Sequence, residues 1–338
     1  MRPRRPAVIT VQPFEYTRAV DAEQAIGTVA GNRGASFLAG GTTQLDLMKD
    51  GVLRPDELVD ITTLPLRGIS ETDDAIYVGA LTTMEELAAH GTVGDRIPFV
   101  REALLHGASV QLRNMATIGG NLLQRARCRY FRDPTVPDCN KRDPGSGCAA
   151  VANHARMHAI LGVSERCVAL HASDVAVAFV ALNAVVHTLG VAGTRRILLT
   201  DFYRDAADSP NDENVLDHGE LIVGVQLPLP PRGVRSTYLK VRDRSSYEFA
   251  LTSAAAALMV ADGTIVQARL GLGGVGSKPW RAGTAEAALL GAPATDQTYR
   301  LAAETALEGA WTLPGTAFKV ELAKRTIVRA LQTVGGQP

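Results

Sequence analysis

Apolar positions change their period several times along the chain, and each change marks an element. Ala and Ile recur at helical spacing over residues 21–31, Ser36–Ala39 is a short apolar run of strand type, and Gln44–Asp50 returns to a helical pattern. Gly40-Gly41-Thr42-Thr43 separates the last two, so this segment predicts a strand, a glycine loop and a helix. Leu58–Ile61 and Ala75–Ala80 predict strands, and Thr82-Thr83-Met84-Glu85-Glu86 carries a capping box that starts a helix near Met84. A helix over Phe99–His106 is followed by a second pair, Gly119-Gly120, expected as a turn. An Arg-, Cys-, Pro- and Gly-rich loop covers 125–149, His154 and His158 fall at helical spacing, and strands are expected near Val168–Leu170 and Val185–Leu189.

Leu227-Pro228-Leu229-Pro230-Pro231-Arg232-Gly233 has the composition of a domain linker. Beyond it, Ser236–Val241, Ala250–Ala261 and Ile265–Leu272 predict antiparallel strands around the Asp262-Gly263 hairpin signal. Helices near 284–290, 297–310 and 317–333 close the chain. No internal repeat interrupts this order.

With 338 residues there is room for two or three domains and a sizeable core. Lys plus Arg and Asp plus Glu both number 35, so no global basic field recruits nucleic acid or an anionic membrane. The apolar runs Val175–Val180 and Ala254–Ala261 are too short to span a bilayer. After Met1-Arg2-Pro3-Arg4-Arg5-Pro6 the apolar stretch is broken by Gln12, Pro13 and Glu15, and a mature soluble terminus is expected.

The two glycine pairs carry the first candidate chemistry. Glycine lets the backbone approach a ligand, and successive N–H groups in such a turn form a concavity that binds anions. Neither pair belongs to a Walker loop or to a dinucleotide fingerprint, and a single Gly-Gly is most often a tight turn. Two such loops flanked by Thr42, Thr43, Thr117 and Asn121 favour a phosphate between them. Cys128, Cys139, Cys148 and Cys167 have no Cys-x-x-Cys spacing, which leaves disulfides, a metal site and inert buried thiols all open. Arg113, Arg125, Arg127, Arg129, Arg132, Lys141 and Arg142 crowd the same region, as a solvated basic face or as cations near a negative group. No Glu stands in a His-Glu-x-x-His arrangement with His154 and His158, so no zinc-protease role is assigned to them.

Four segments together resemble the FAD-binding medium subunit of the molybdenum hydroxylases, a family that includes xanthine dehydrogenase, carbon monoxide dehydrogenase and aldehyde oxidoreductases. They are Leu38-Ala39-Gly40-Gly41-Thr42, Arg113 to Asn121, His171-Ala172-Ser173-Asp174, and Gly271 to Arg281. The likeness covers essentially the whole chain. It implies an α+β protein: a two-subdomain FAD-binding domain of the vanillyl-alcohol-oxidase-like type over 1–232, divided at about residue 65, then a C-terminal α+β domain over 233–338 with a small antiparallel sheet packed by helices. It further implies that FAD is held by Ala39, Gly40, Gly41, Thr42, Thr43 and Gln44 on one side. Thr117, Gly119, Gly120 and Asn121 face them, with Asp174 and Lys240 as further polar contacts. The Gly271–Arg281 segment is expected to be structural.

Cys-Asn-Lys-Arg-x-Pro-Gly-Ser-Gly-Cys over 139–148 is similar to the branch of aldehyde oxidoreductases whose flavin subunit carries an extra [4Fe-4S] cluster. That likeness implies Cys128, Cys139, Cys148 and Cys167 as its four ligands, in a loop over about 124–167. The implied protein is an electron-transfer subunit with no catalytic residue of its own. A large molybdenum-cofactor subunit oxidises the substrate, a small subunit with two [2Fe-2S] clusters relays electrons, and FAD passes them to an external acceptor. The alternatives are a self-contained flavoenzyme of the vanillyl-alcohol oxidase type and a non-enzymatic zinc-stabilised interaction module. A cytoplasmic location is expected, or a periplasmic one by export with a signal-bearing partner.

Overall fold

The computed structural model describes residues 11–336 as three packed units. The expectation about the N-terminal segment falls largely on residues 1–10, outside the described residues. The first unit contains β1 (Glu15–Arg18), α1 (Ala22–Gly31), β2 (Ala35–Leu38), α2 (Gln44–Lys49) and β3 (Glu57–Asp60). Its three strands are parallel in the order β1-β3-β2, so the buried strand β3 lies in the middle. Asp21 caps α1 by accepting from the Gln24 N–H, and Ala25, Ile26 and Val29 form its buried face.

Gly27 sits on the exposed side of α1, with nothing within 4 Å of where a Cβ would stand. Gly27→Ala is therefore expected to stabilise the protein by about 0.5–1 kcal/mol, because the helix is kept and the unfolded chain loses freedom. A lower melting temperature for this variant would contradict that account.

The second unit runs through β4 (Ile69–Glu71), β5 (Ala75–Gly79), α3 (Met84–Ala89), α4 (Gly91–Arg96), α5 (Pro98–His106), α6 (Val110–Arg113) and α7 (Ile118–Leu122). It continues with α8 (Arg129–Arg132), α9 (Ala149–Ala152), α10 (Asp174–Ala181), β6 (Val185–Gly190), β7 (Gly193–Leu198), α11 (Leu199–Phe202) and β8 (Leu221–Pro228). Its strands form an antiparallel sheet in the order β4-β5-β8-β6-β7. The capping box forms as expected: the Glu86 N–H donates to Thr83 Oγ1 and the Thr83 N–H donates to Glu86 Oε2 at 2.8 Å. Every residue of α10 from Val175 to Ala181 is buried, because this helix is apolar on all sides and fills the core between the second and third units.

The third unit comprises β9 (Arg235–Val241), β10 (Thr252–Ala261), β11 (Thr264–Gly273), β12 (Trp280–Arg281), α12 (Gly283–Leu289), α13 (Asp296–Ala306) and α14 (Phe318–Gly335). The sheet order is β12-β11-β10-β9, all antiparallel, with the helices over one face around Tyr299, Ile327 and Leu331. At the hairpin Asp262 and Gly263 both have positive φ, 48° and 75°, as a tight two-residue turn requires. The architecture is the mixed helix-and-sheet one expected, with a C-terminal antiparallel sheet packed by helices.

Several local expectations change. Gly119-Gly120 lies inside α7 rather than in a turn, because Thr117 caps that helix. Val168–Leu170 belongs to no strand, although the Ala159 N–H donates to Val168 O. No helix spans His154 and His158, since α9 ends at Ala152. Leu227 and Pro228 are the last residues of β8, so the Pro-rich segment begins inside the sheet. No helix among the described residues is long and apolar enough to cross a membrane.

Candidate functional site

A cleft opens between the first and second units, and the segment after β2 forms one of its walls. Gly41 has φ +70°, a left-handed backbone that turns the chain into α2. Gly40 packs directly on the second unit, where a Cβ would overlap the Met115 carbonyl oxygen and lie 2.9 Å from its carbon. Among the described residues, the N–H groups of Gly40, Gly41, Thr42, Thr43 and Gln44 meet no protein acceptor. Thr43 precedes α2 without capping it, and Gln44 Nε2 is buried with no partner. Gln44 Nε2 is thus a buried donor without an acceptor, which is costly, and the half-buried amides beside it face the cleft, so this run has the character of an anion cradle.

The second glycine pair differs. The Gly119 N–H donates to Ala80 O at 2.9 Å, the Gly120 N–H to Thr117 Oγ1 at 3.2 Å, and the Asn121 N–H to Thr117 O at 2.8 Å. Its amides are already used, so this pair offers backbone without side chains rather than donors. Gly119 fits against Ala80, where a Cβ would come within 3.0 Å of the Ala80 Cβ. Asn121 is held as well, since its Oδ1 accepts from Ser173 Oγ and from Gln124 Nε2.

The cleft has two lobes. One, of about 300 Å³, is walled by Phe37, Ala39, Gly40, Ile61, Leu81 and Ile222. The other, of about 330 Å³, holds Asn121, Asp174, Lys240, Tyr247 and Phe249. Thr42, Thr43 and Gly120 line both, so the lobes meet at the glycine loops. Ser173 caps α10 and thereby places Asp174 at its first position. Lys240 Nζ reaches Asp174 Oδ2 at 2.7 Å, and the Tyr238 hydroxyl donates to Asp174 Oδ1 at 2.6 Å. Burial, reinforced by the Asp174 carboxylate, pushes the Tyr238 hydroxyl well above its ordinary pKa. The structure thus brings Ala39 to Gln44, Thr117, Gly119, Gly120, Asn121, Asp174 and Lys240 to one cleft. Sequence inspection missed Asp46, Tyr247 and Phe249 and placed Arg127 beside the cysteines rather than in this cleft; the one signal for the aromatics is their place in the polar stretch Arg242–Phe249.

Residues 12–230 match the family described as FAD binding domain in molybdopterin dehydrogenase. This chain belongs to that family. Residues 237–334 match the CO dehydrogenase flavoprotein C-terminal domain, and the double match replaces the self-contained-flavoenzyme and zinc-module alternatives. The FAD-binding subunit PaoB of an Escherichia coli K12 aldehyde oxidoreductase is 46% identical over 97% of this chain and 100% of its own length. The carbon monoxide dehydrogenase medium chain of Afipia carboxidovorans is 27% identical over 86% of this chain and 85% of its own. A chain of the reconstituted CO dehydrogenase from Oligotropha carboxidovorans has the same fold, with a TM-score of 0.76 at 23% identity over 97% of this chain and 100% of that one.

No disulfide joins any of the four cysteines. Cys128, Cys139 and Cys167 join one apolar core with Leu47 and Phe131, and Cys148 faces Cys139 across an isolated antiparallel bridge. Burial pushes the Cys128 thiol up to about 11, with the nearby Cys139 and Cys148 adding to the rise, and burial raises Cys167 as well. His158 Nε2 lies 3.2 Å from Cys128 Sγ, and burial lowers that imidazole to about 4. Among the described residues, no group of three or more His, Cys, Asp or Glu is arranged to hold a single metal ion.

The basic residues near the cysteines are mostly committed to partners. Arg113 pairs with Glu85, Arg125 and Lys141 with Glu213, and Arg127 and Arg132 with Asp46. Arg142 donates to the carbonyls of Tyr130, Phe131 and Val136. The loop is therefore tied down by its cations rather than presenting them as a free basic face.

Proposed function

We propose that this chain is the electron-transferring FAD subunit of a molybdenum hydroxylase acting on aldehydes, and that it also carries a [4Fe-4S] cluster. The observation that carries the flavin assignment is the run of unpartnered amides from Gly40 to Gln44 where the two lobes meet. A pyrophosphate placed there receives those N–H groups, with the Thr42 and Thr43 hydroxyls beside them. Gly119 and Gly120 let it lie against the second unit without a side chain intervening. The lobe with Asp174 and Lys240 takes the ring end of the cofactor, and the apolar lobe beside Phe37 takes the nucleoside end.

Bound FAD supplies an electron pair acceptor that can release electrons singly. The chain's own part is to place it and to fix charge around it. The Asp174–Lys240 pair offers one ammonium and one carboxylate at fixed positions, with Tyr238 keeping its proton throughout the physiological range. A large molybdenum-cofactor subunit and a small [2Fe-2S] subunit complete the complex, and electrons pass through this subunit to an external acceptor.

The donor set at Cys128, Cys139, Cys148 and Cys167 suits a cluster. Cys139 and Cys167 are buried in one core, Cys128 packs half-buried against it and Cys148 bridges to Cys139, and a cubane holds its ligands at separate corners rather than round one ion-sized point. Cluster binding would displace protons from Cys128 and Cys167, which burial otherwise keeps protonated.

Co-purification of the full chain with its partner subunits, followed by flavin and iron analysis, tests both assignments. Flavin and iron are expected together, with an EPR signal after dithionite reduction at low temperature. Cys139→Ser is expected to lose iron while keeping flavin. A colourless wild-type protein defeats the flavin assignment, and unchanged iron in Cys139→Ser defeats that cysteine as a ligand.

A further inference from the structure

The cysteine loop grips the helix that continues the first glycine loop. Helix α2 starts directly after Thr43, has six residues and has no side-chain cap, so its position depends on tertiary contacts. On its inner face Leu47 is fully buried in the core that contains Cys139, Cys167, Ala126 and Phe131. The N–H groups of Val52 and Leu53 turn back onto Leu47 O, and both side chains pack against that core. On the polar face Asp46 and Asp50 lie one turn apart. Arg132 Nη1 reaches Asp46 Oδ2 at 2.8 Å and Asp50 Oδ2 at 2.9 Å, and Arg127 Nη1 reaches the same Asp46 oxygen at 2.9 Å.

The grip continues toward both ends of the cleft. The Leu45 side chain underlies Gly41, where a Cβ would stand 3.2 Å from Leu45 Cδ1. The Arg127 guanidinium lies 5.3 Å from the centre of the Phe249 ring in the second lobe. Isolated surface ion pairs contribute little, but here one arginine joins two carboxylates of a short helix whose apolar face is buried in the same loop's core.

We propose that Arg132, acting through Asp46 and Asp50, is a positioning residue for the flavin: the cysteine loop sets the orientation of α2 and so the aim of the Gly40–Gln44 amides. The inference rests on the assignment of FAD to this cleft. Arg132 itself lines neither lobe, so it acts on the flavin only through its partners Asp46 and Asp50, the first of which lines the second lobe and is shared with Arg127. Donor positions matter because an anion cradle works only when its N–H groups are held close to the bound geometry.

The test is a fluorescence titration of FAD into the flavin-free full chain, alongside the melting temperature of the same flavin-free protein. Arg132→Gln is expected to raise the FAD dissociation constant at least about tenfold. Arg132→Lys, which keeps one charged contact, is expected to recover most of it. Asp50→Asn is expected to shift affinity in the same direction, and its effect should not add to that of Arg132→Gln. If Arg132→Gln does not fold, Asp50→Asn carries the test alone. A lowered melting temperature with wild-type FAD affinity overturns the proposal and leaves Arg132 a purely structural residue. Failure of the wild-type chain to bind FAD in the same titration would instead overturn the assignment of the cleft.

Discussion

Gly40→Ala is expected to yield protein with much less bound flavin than the wild type. The added methyl group would overlap the Met115 carbonyl oxygen, lie 2.9 Å from the Met115 carbonyl carbon and lie 3.4 Å from Ala116 Cα. These are backbone atoms and cannot rotate aside as a flexible side chain can. Ala116 is fixed in turn, because its carbonyl accepts from the Met84 N–H and its own N–H donates to Leu112 O. Relief must come from moving the first glycine loop away from the second unit, which widens the cleft where its lobes join. Overpacking of this kind costs about 1–3 kcal/mol. If that cost falls on the flavin-competent arrangement, affinity drops by about ten- to a hundredfold. Flavin released on acid treatment of purified protein measures the outcome. Gly27→Ala is the control, since it adds the same methyl group where nothing is within 4 Å. Wild-type flavin content in Gly40→Ala would show that the two loops need not touch for the cofactor to bind.

The elements that carry the first loop are visible in the sequence because local rules and tertiary demands agree there. Ser36–Ala39 is apolar and short, Gly40-Gly41 breaks the pattern, and Gln44 starts a helix with Leu47 inward, which is what the structure contains. The Thr83 capping box and the Asp262-Gly263 hairpin are equally local, and both form. Helix α10 was not visible, because Asp174–Ala181 is apolar on every side and has no period to detect. The second glycine pair was misjudged for a related reason. Glycine favours a turn by propensity, but Thr117 supplies a cap and Ala80 a carbonyl, and those contacts hold Gly119 and Gly120 in a helix.

The role of the cysteine loop could not be read from spacing either. Asp46 and Asp50 are separated from Arg132 by more than eighty residues, so their pairing is a property of the fold. The arginine crowd suggested a solvated basic face or cations near a negative group, and the structure gives most of those cations a carboxylate or a carbonyl. Net neutrality was the available hint: a neutral chain with a local excess of arginine must draw acidic partners from elsewhere.

Lys319 should make stability rise with pH between about 7 and 9. It is the second residue of α14, is fully buried, and donates through Nζ to His158 O at 2.9 Å and Gly274 O at 2.7 Å. A neutral amine has two N–H groups and satisfies two carbonyl oxygens, so the site does not need the charge. Burial, with the Arg156 cation adding to it, lowers the ammonium to about 7 from 10.5. In the window between those values the unfolded chain holds a proton that the folded chain has lost. Unfolding therefore takes up a proton, and stability increases with pH, by about 2 kcal/mol from pH 7 to 9. Below 7 both states are protonated and this contribution is flat. Above about 9 the rise is opposed in protein with unligated thiols, since burial raises Cys128 to about 11 and the unfolded thiol ionises first, so that the two contributions cancel up to about 10.5. The buried Cys167 thiol and Tyr238 hydroxyl, both raised by burial, turn that balance into a fall as pH rises further. Denaturant melts of protein with unligated thiols are thus expected to level off above about pH 9 and to fall only at higher pH. Lys319→Met, of similar shape, should lose the rise between 7 and 9 and fall from about 9 onward. Equal slopes for the two proteins in that window would show that Lys319 stays charged in the folded state.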